Sequence, residues 1–155
     1  MTARAERRPS ARTPKESRHR AREAALQMLY QWEVGRLSMF EVRQTFWTHS
    51  PETLPALPDD LQAFATTLAD GVAARVEALD PVISEAAEHW RLERMNVMDR
   101  LILRLAVYEF LHEPATPGKV IINEALELAR RFSGDESVRF INGILDAIRR
   151  TLERE

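Results

Sequence analysis

Ile122-Asn123-Glu124-Ala125-Leu126-Glu127-Leu128-Ala129-Arg130-Arg131-Phe132, a Ser133-Gly134-Asp135 break, and Ser137-Val138-Arg139-Phe140-Ile141-Asn142-Gly143-Ile144-Leu145-Asp146 form the stretch that decides the fold. Each half has the apolar rhythm of an amphipathic helix, and the short polar break turns one into the other. The second half keeps Asn142 and Gly143 beside a stripe of Phe140, Ile141, Ile144, Leu145 and Ile148. A glycine inside a helix costs about 1 kcal/mol against alanine, so Gly143 is expected where another backbone packs closely. Asn123 and Asn142 lie in otherwise apolar patterns, and buried amides need hydrogen-bond partners. They are expected to clamp helices or loops rather than to touch a ligand.

The helical rhythm continues upstream. Residues 1–16, with Pro9, Pro14, many charges and no periodicity, read as a disordered basic tail. A first helix is expected from about Ser17 to Val34, with Ala25, Met28, Leu29 and Trp32 inward and Gly35 as its stop. Ser38 and Glu41 have capping-box spacing and open a second helix to about Thr48, with Phe40, Val42, Phe46 and Trp47 inward. After a proline-rich connection, a third helix runs from about Pro58 to Leu79 along Leu61, Phe64, Leu68, Val72 and Val76. Asp80 as N-cap and Pro81 in the first position predict a fourth helix to about Trp90. The fifth covers about Asn96 to His112, the sixth Pro117 to Phe132, and the seventh Asp135 to Leu152. Seven helices without a credible strand predict an all-α bundle.

Composition narrows the function. At 155 residues, 45% of them hydrophobic, the chain suits one domain with a real core. No cysteine is present, which removes disulfides, thiolate chemistry and cysteine-type zinc sites, and fits a cytoplasmic protein. The net charge of −2 hides an asymmetry. Residues 1–22 hold eight bases and two acids, a net of +6, and the remainder holds 14 bases and 22 acids, a net of −8. Twenty of the 22 bases are arginine, the side chain suited to bidentate phosphate contact and to stacking. A basic arm on an acidic body suits a polyanion bound in a salt-dependent way. Residues 1–22 lack the apolar segment of a secretory signal. No apolar run approaches the roughly 20 residues of a membrane-spanning helix.

Four segments carry candidate sites. In Lys15-Glu16-Ser17-Arg18-His19-Arg20-Ala21-Arg22, Arg18 and Arg22 share a helix face and Arg20 points elsewhere. Cations at a helix start oppose the dipole, so a polyanion partner explains them better than a solvated face. Tyr30 lies off the apolar stripe of the same helix and is either a base-stacking residue or a half-buried tyrosine with a wet hydroxyl. From Phe132 to Phe140, the start of the last helix offers free N–H groups to phosphate, with Arg139 adding charge and Phe140 a stacking surface. Against this, Asp135 or Ser137 can cap the helix and Phe140 fits the core. Asp99, Arg100, Arg104 and Glu109 form either a partner surface or a solvated charged face.

The quoted block, the arginine-rich segment and nearly all the chain between them closely resemble the NusB family of bacterial transcription antitermination factors. The resemblance implies a single helical domain over 17–155, built of two packed sub-bundles at about 17–79 and 80–155. It implies recognition of boxA, a single-stranded element of ribosomal RNA leaders, jointly with NusE, a small-subunit ribosomal protein. That complex would act within the RNA polymerase antitermination assembly. On this resemblance the RNA-binding residues would be Arg18, His19, Arg20, Arg22, Tyr30, Glu136, Arg139 and Phe140. His19 stands where arginine is common, and its charge would grow as pH falls. Asp99 and Arg100 would lie near the protein partner.

No catalytic constellation offers a competing reading. The four histidines are scattered, and no HExxH, GxSxG, P-loop or GxGxxG pattern occurs. No enzyme, metal or cofactor is therefore expected. Two alternatives stay open. The same helical domain fronts some ribosomal-RNA cytosine methyltransferases, and these 155 residues leave no room for their S-adenosylmethionine-binding domain. A homodimeric interaction module whose RNA face is covered in the dimer is the other.

Overall fold

Helix α5 (Val97–His112) is the axis around which the other helices are laid. Every residue from Leu101 to Phe110 is buried, as in a helix enclosed on all sides. The structure, a computed structural model, describes residues 14–48, 57–88 and 90–155, with side chains from Ser17 onward. The other helices are α1 (Pro14–Glu33), α2 (Met39–Thr45), α3 (Asp59–Ala74), α4 (Val76–Ala86), α6 (Gly118–Phe132) and α7 (Asp135–Thr151), and a 3₁₀ turn spans Leu92–Arg94. Among the described residues there is no strand. α1, α2 and α3 pack on one another, α7 packs on both α4 and α6, and α1, α3, α4, α6 and α7 all contact α5. One apolar core runs through both groups.

Local chemistry explains most boundaries. Helix α1 meets its neighbours through fully buried Ala21, Ala24 and Ala25, whose small side chains let backbones approach. Ser38 and Glu41 form the expected reciprocal capping box on α2. Asn96 caps α5 by accepting from the Met98 N–H at 2.8 Å. Gly134, at φ +132°, precedes α7 in a conformation side chains rarely adopt. Gly71 is bare because an added Cβ would lie 2.3 Å from the Tyr108 ring.

Several expectations are corrected. The third and fourth helices part at Arg75 (φ −124°, ψ 19°), not at Asp80. Arg75 donates to the Gly71 carbonyl and lies 5.7 Å from the Tyr108 ring centre, which closes α3 early. Pro81 sits inside α4. The Glu77 carbonyl it leaves without a donor is on an exposed residue, where water serves. Asp80 is not a cap but the bidentate partner of Arg104. Phe40 is 62% exposed, while Val42 and Phe46 fill the interior. Asn123, Asn142 and Gly143 are exposed, so neither amide is a buried clamp, and a Cβ at Gly143 would meet nothing within 4 Å. Pro14 to Glu16 belong to α1, and residues 1–13 of the expected tail lie outside the described residues. So does most of the proline-rich connection, residues 49–56.

Candidate nucleic-acid interface

The amino-terminal half of α1 presents arginines in two environments. Arg22 is 2% exposed and grips the Glu109 carboxylate of α5 through Nε (3.1 and 3.0 Å) and Nη2 (2.8 Å). Burial pushes the Glu109 carboxyl up, and the Arg22 hydrogen bonds only partly offset it. Beside this pair, His19 bridges Glu124 of α6 (2.5 Å) and Glu23 (3.0 Å). Its hydrogen bonds to Glu124 and Glu23 raise its pKa to about 9 against the lowering effect of burial. His19 is therefore charged throughout the neutral range, not only as pH falls. Burial raises the Glu23 carboxyl, but His19 and Arg131 together hold it below its ordinary value. Arg131 reaches Glu23 at 2.9 Å. The network ties α1 to α5 and α6.

Arg18 and Arg20 face outward by comparison. Arg18 is exposed, with its guanidinium 5.7 Å from the Phe64 ring centre. Arg22 lies at the same distance from that ring, so the expected shared face exists. Yet only Arg18 remains accessible to a phosphate. Arg20 is partly exposed and forms no ion pair within 4 Å among the described residues. His19 and Arg22 are committed to carboxylates inside the protein.

The cross-links also order the rest of the surface. His19 faces Glu124 and Glu23 faces Arg131, so α1 and α6 advance together. Glu33 at the end of α1 pairs with Arg100 at the start of α5 (3.0 Å). Ser137 in the first turns of α7 donates to Asp99 (3.0 Å). Tyr30, 42% exposed, lies on α1 one turn before Glu33. On α7, Arg139 is exposed, and Phe140 is half-buried with its ring edge-on to Trp90 at 5.4 Å. Asp135 and Glu136 are exposed in the first turn of α7. The α7 start is thus already supplied with negative charge, which argues against a phosphate at its N–H groups.

The expected partner pair divides. Asp99 is 7% exposed and held by Ser137. Arg100 is part-buried, bonded to Glu33 and to the Leu92 carbonyl. Arg104 and Glu109 are buried in ion pairs rather than displayed on a solvated face. Four residues at the surface escaped the sequence reading. Arg130 and Arg131 are exposed cations on α6 that the amphipathic pattern absorbed as a polar face. Phe64, read only as part of an apolar stripe, also lies beside Arg18, and Trp90, read only as a helix end, lies beside Phe140. Among the described residues no cluster of three metal-ligating side chains occurs.

The family model described as the NusB family matches residues 19–150. This chain belongs to the NusB family. The transcription antitermination protein NusB of Koribacter versatilis is 47% identical over 139 residues, which covers 90% of this chain and 92% of that protein. The solved structure of T. maritima NusB superposes with a TM-score of 0.76 at 34% identity, covering 90% of this chain and 92% of that one. A structure of antitermination factors NusB and NusE in complex with dsRNA matches with a TM-score of 0.75 at 21% identity, covering 88% of this chain and 98% of that one. At that identity the likeness speaks for a shared NusB fold.

Proposed function

We propose that this chain is a transcription antitermination factor that binds a boxA-type single-stranded element of ribosomal RNA leaders together with a NusE-type ribosomal protein. The observation that carries the reading is the division within α1. Arg22 and His19 lock the helix onto α5 and α6, and Arg18 and Arg20 project from it with Tyr30 further along. A rigid mount with outward arginines suits phosphates, and exposed aromatics suit unstacked bases. Membership of the NusB family and the antitermination names of its relatives agree with it.

The role is assembly rather than catalysis. RNA and NusE-type protein bound on one body raise each other's affinity, by thermodynamic reciprocity, and the assembly acts on RNA polymerase in the cytoplasm. No helix among the described residues is long and apolar enough to cross a membrane. Binding of a short boxA-type RNA, alone and with the NusE-type protein, at two salt concentrations tests the reading. The expected result is salt-dependent binding that the partner tightens, with both properties reduced in R18A/R20A. Binding without RNA preference or partner effect would move the function to protein–protein interaction, and light scattering would then report a homodimer.

A further inference from the structure

Where the end of α4 passes α7, an open groove of about 390 Å³ is bounded by Trp90, Phe140, Gly143, Arg139 and Glu88. Three of its features are unexplained by folding. Trp90 is 57% exposed, although its edge-to-face contact with Phe140 fixes the ring. Gly143 lies inside α7, exposed, at a position where an added Cβ would meet nothing within 4 Å. Alanine would be the better helix former there, and no neighbour among the described residues forbids it. Arg139, one turn before Gly143, forms no ion pair within 4 Å among the described residues. A tryptophan held with its surface open, a stretch of helix backbone stripped of side chain and an uncommitted cation make a site for something flat and anionic to approach closely.

We infer that this groove is a stacking subsite for one unpaired nucleotide of the bound RNA. The base lies against Trp90 and over Gly143, and its phosphate meets Arg139. Glu88 at the opposite rim accepts a hydrogen bond from an exocyclic amino group, which favours bases that carry one. An apolar protein side chain would use the tryptophan but has no need of Arg139, and this decides between the two occupants. The inference rests on the RNA-binding reading, in which Arg139 and Phe140 already figure through the family resemblance, and adds Trp90, Gly143 and Glu88 as a base pocket.

Gly143→Ala is the sharp test, because the added methyl group has room in the free protein. In full-length protein, G143A is expected to raise the melting temperature and yet weaken binding of a fluorescein-labelled boxA-type RNA about tenfold, the scale of one lost base stack. Trp90→Ala should weaken binding similarly, and Trp90→Phe should recover part of it. With 5-fluorotryptophan in place of tryptophan, the Trp90 fluorine signal, assigned through W90F, should move on RNA addition. If G143A and W90A bind RNA like the wild type while R18A/R20A does not, the subsite is overturned and the RNA reading stands. If they bind RNA normally but lose only the tightening by the NusE-type protein, the groove belongs to the protein partner and the subsite is again overturned. If the wild type itself binds no RNA, the reading fails and the subsite with it.

Discussion

Arg18 and Arg22 are one helical turn apart, share the Phe64 ring, and have opposite fates. Arg22 is 2% exposed and spent on Glu109. Arg18 is exposed, with only an aromatic ring beneath it. The difference comes from what the opposing helix offers. α5 supplies a buried carboxylate beneath Arg22, and α3 supplies a hydrocarbon face beside Arg18. An arginine-rich motif is therefore two devices in one, an internal rivet and an external grip, and only the tertiary neighbours sort its members.

Removing the rivet should have the largest effect. Arg22→Ala leaves Glu109 buried without its partner, which costs about 3–5 kcal/mol, and urea denaturation should show the loss. The deficit should shrink toward acid pH. Burial already raises the Glu109 carboxyl, and without Arg22 it protonates more readily. Removing the grip should do the reverse. R18A/R20A is expected to change stability by less than about 0.5 kcal/mol. Its RNA affinity should fall, and its log-affinity against log-salt slope should decrease by about 1 per lost phosphate contact.

His19 belongs with the rivet, and pH can show it. Its folded pKa of about 9 lies above the ordinary 6.5. Its contribution is therefore fully present below about pH 6.5 and lost as pH rises through 9, roughly 1–2 kcal/mol after allowance for its partial exposure. Thermal unfolding across that window should slope downward in the wild type and lie flatter in His19→Gln. The smallest effect is expected at Arg130, whose pair with Glu127 is solvent-exposed. Arg130→Ala should leave the melting temperature within about 1 °C, since exposed pairs contribute little. If it lowers RNA affinity, α6 joins the grip.

Much of this was legible in the residues. Ser38 and Glu41 announced a helix start because capping is a local reaction between a side chain and the backbone three residues away. The apolar stripe of α7 likewise placed Ile141, Ile144, Leu145 and Ile148 inward. Legibility failed where a distant residue decides the outcome. Asp80-Pro81 has the form of a helix start, but Arg104, 24 positions away, takes the aspartate and the helix runs through the proline. The Arg22–Glu109 pair spans 87 positions and the His19–Glu124 contact spans 105. No spacing rule encodes either, so the sequence names no carboxylate partner for Arg22 or His19. Gly143 failed differently. Sequence showed that its side chain was missing, but not whether the space was filled from within or left open.

The division of α1 is tested most directly by measuring RNA affinity and unfolding free energy on the same three proteins: wild type, R22A and R18A/R20A. The expected result is a double dissociation, with R22A losing stability but binding RNA normally under conditions where it is folded, and R18A/R20A losing binding but not stability. A folded R22A with the RNA defect of R18A/R20A would contradict it, because Arg22 would then leave Glu109 to reach the RNA.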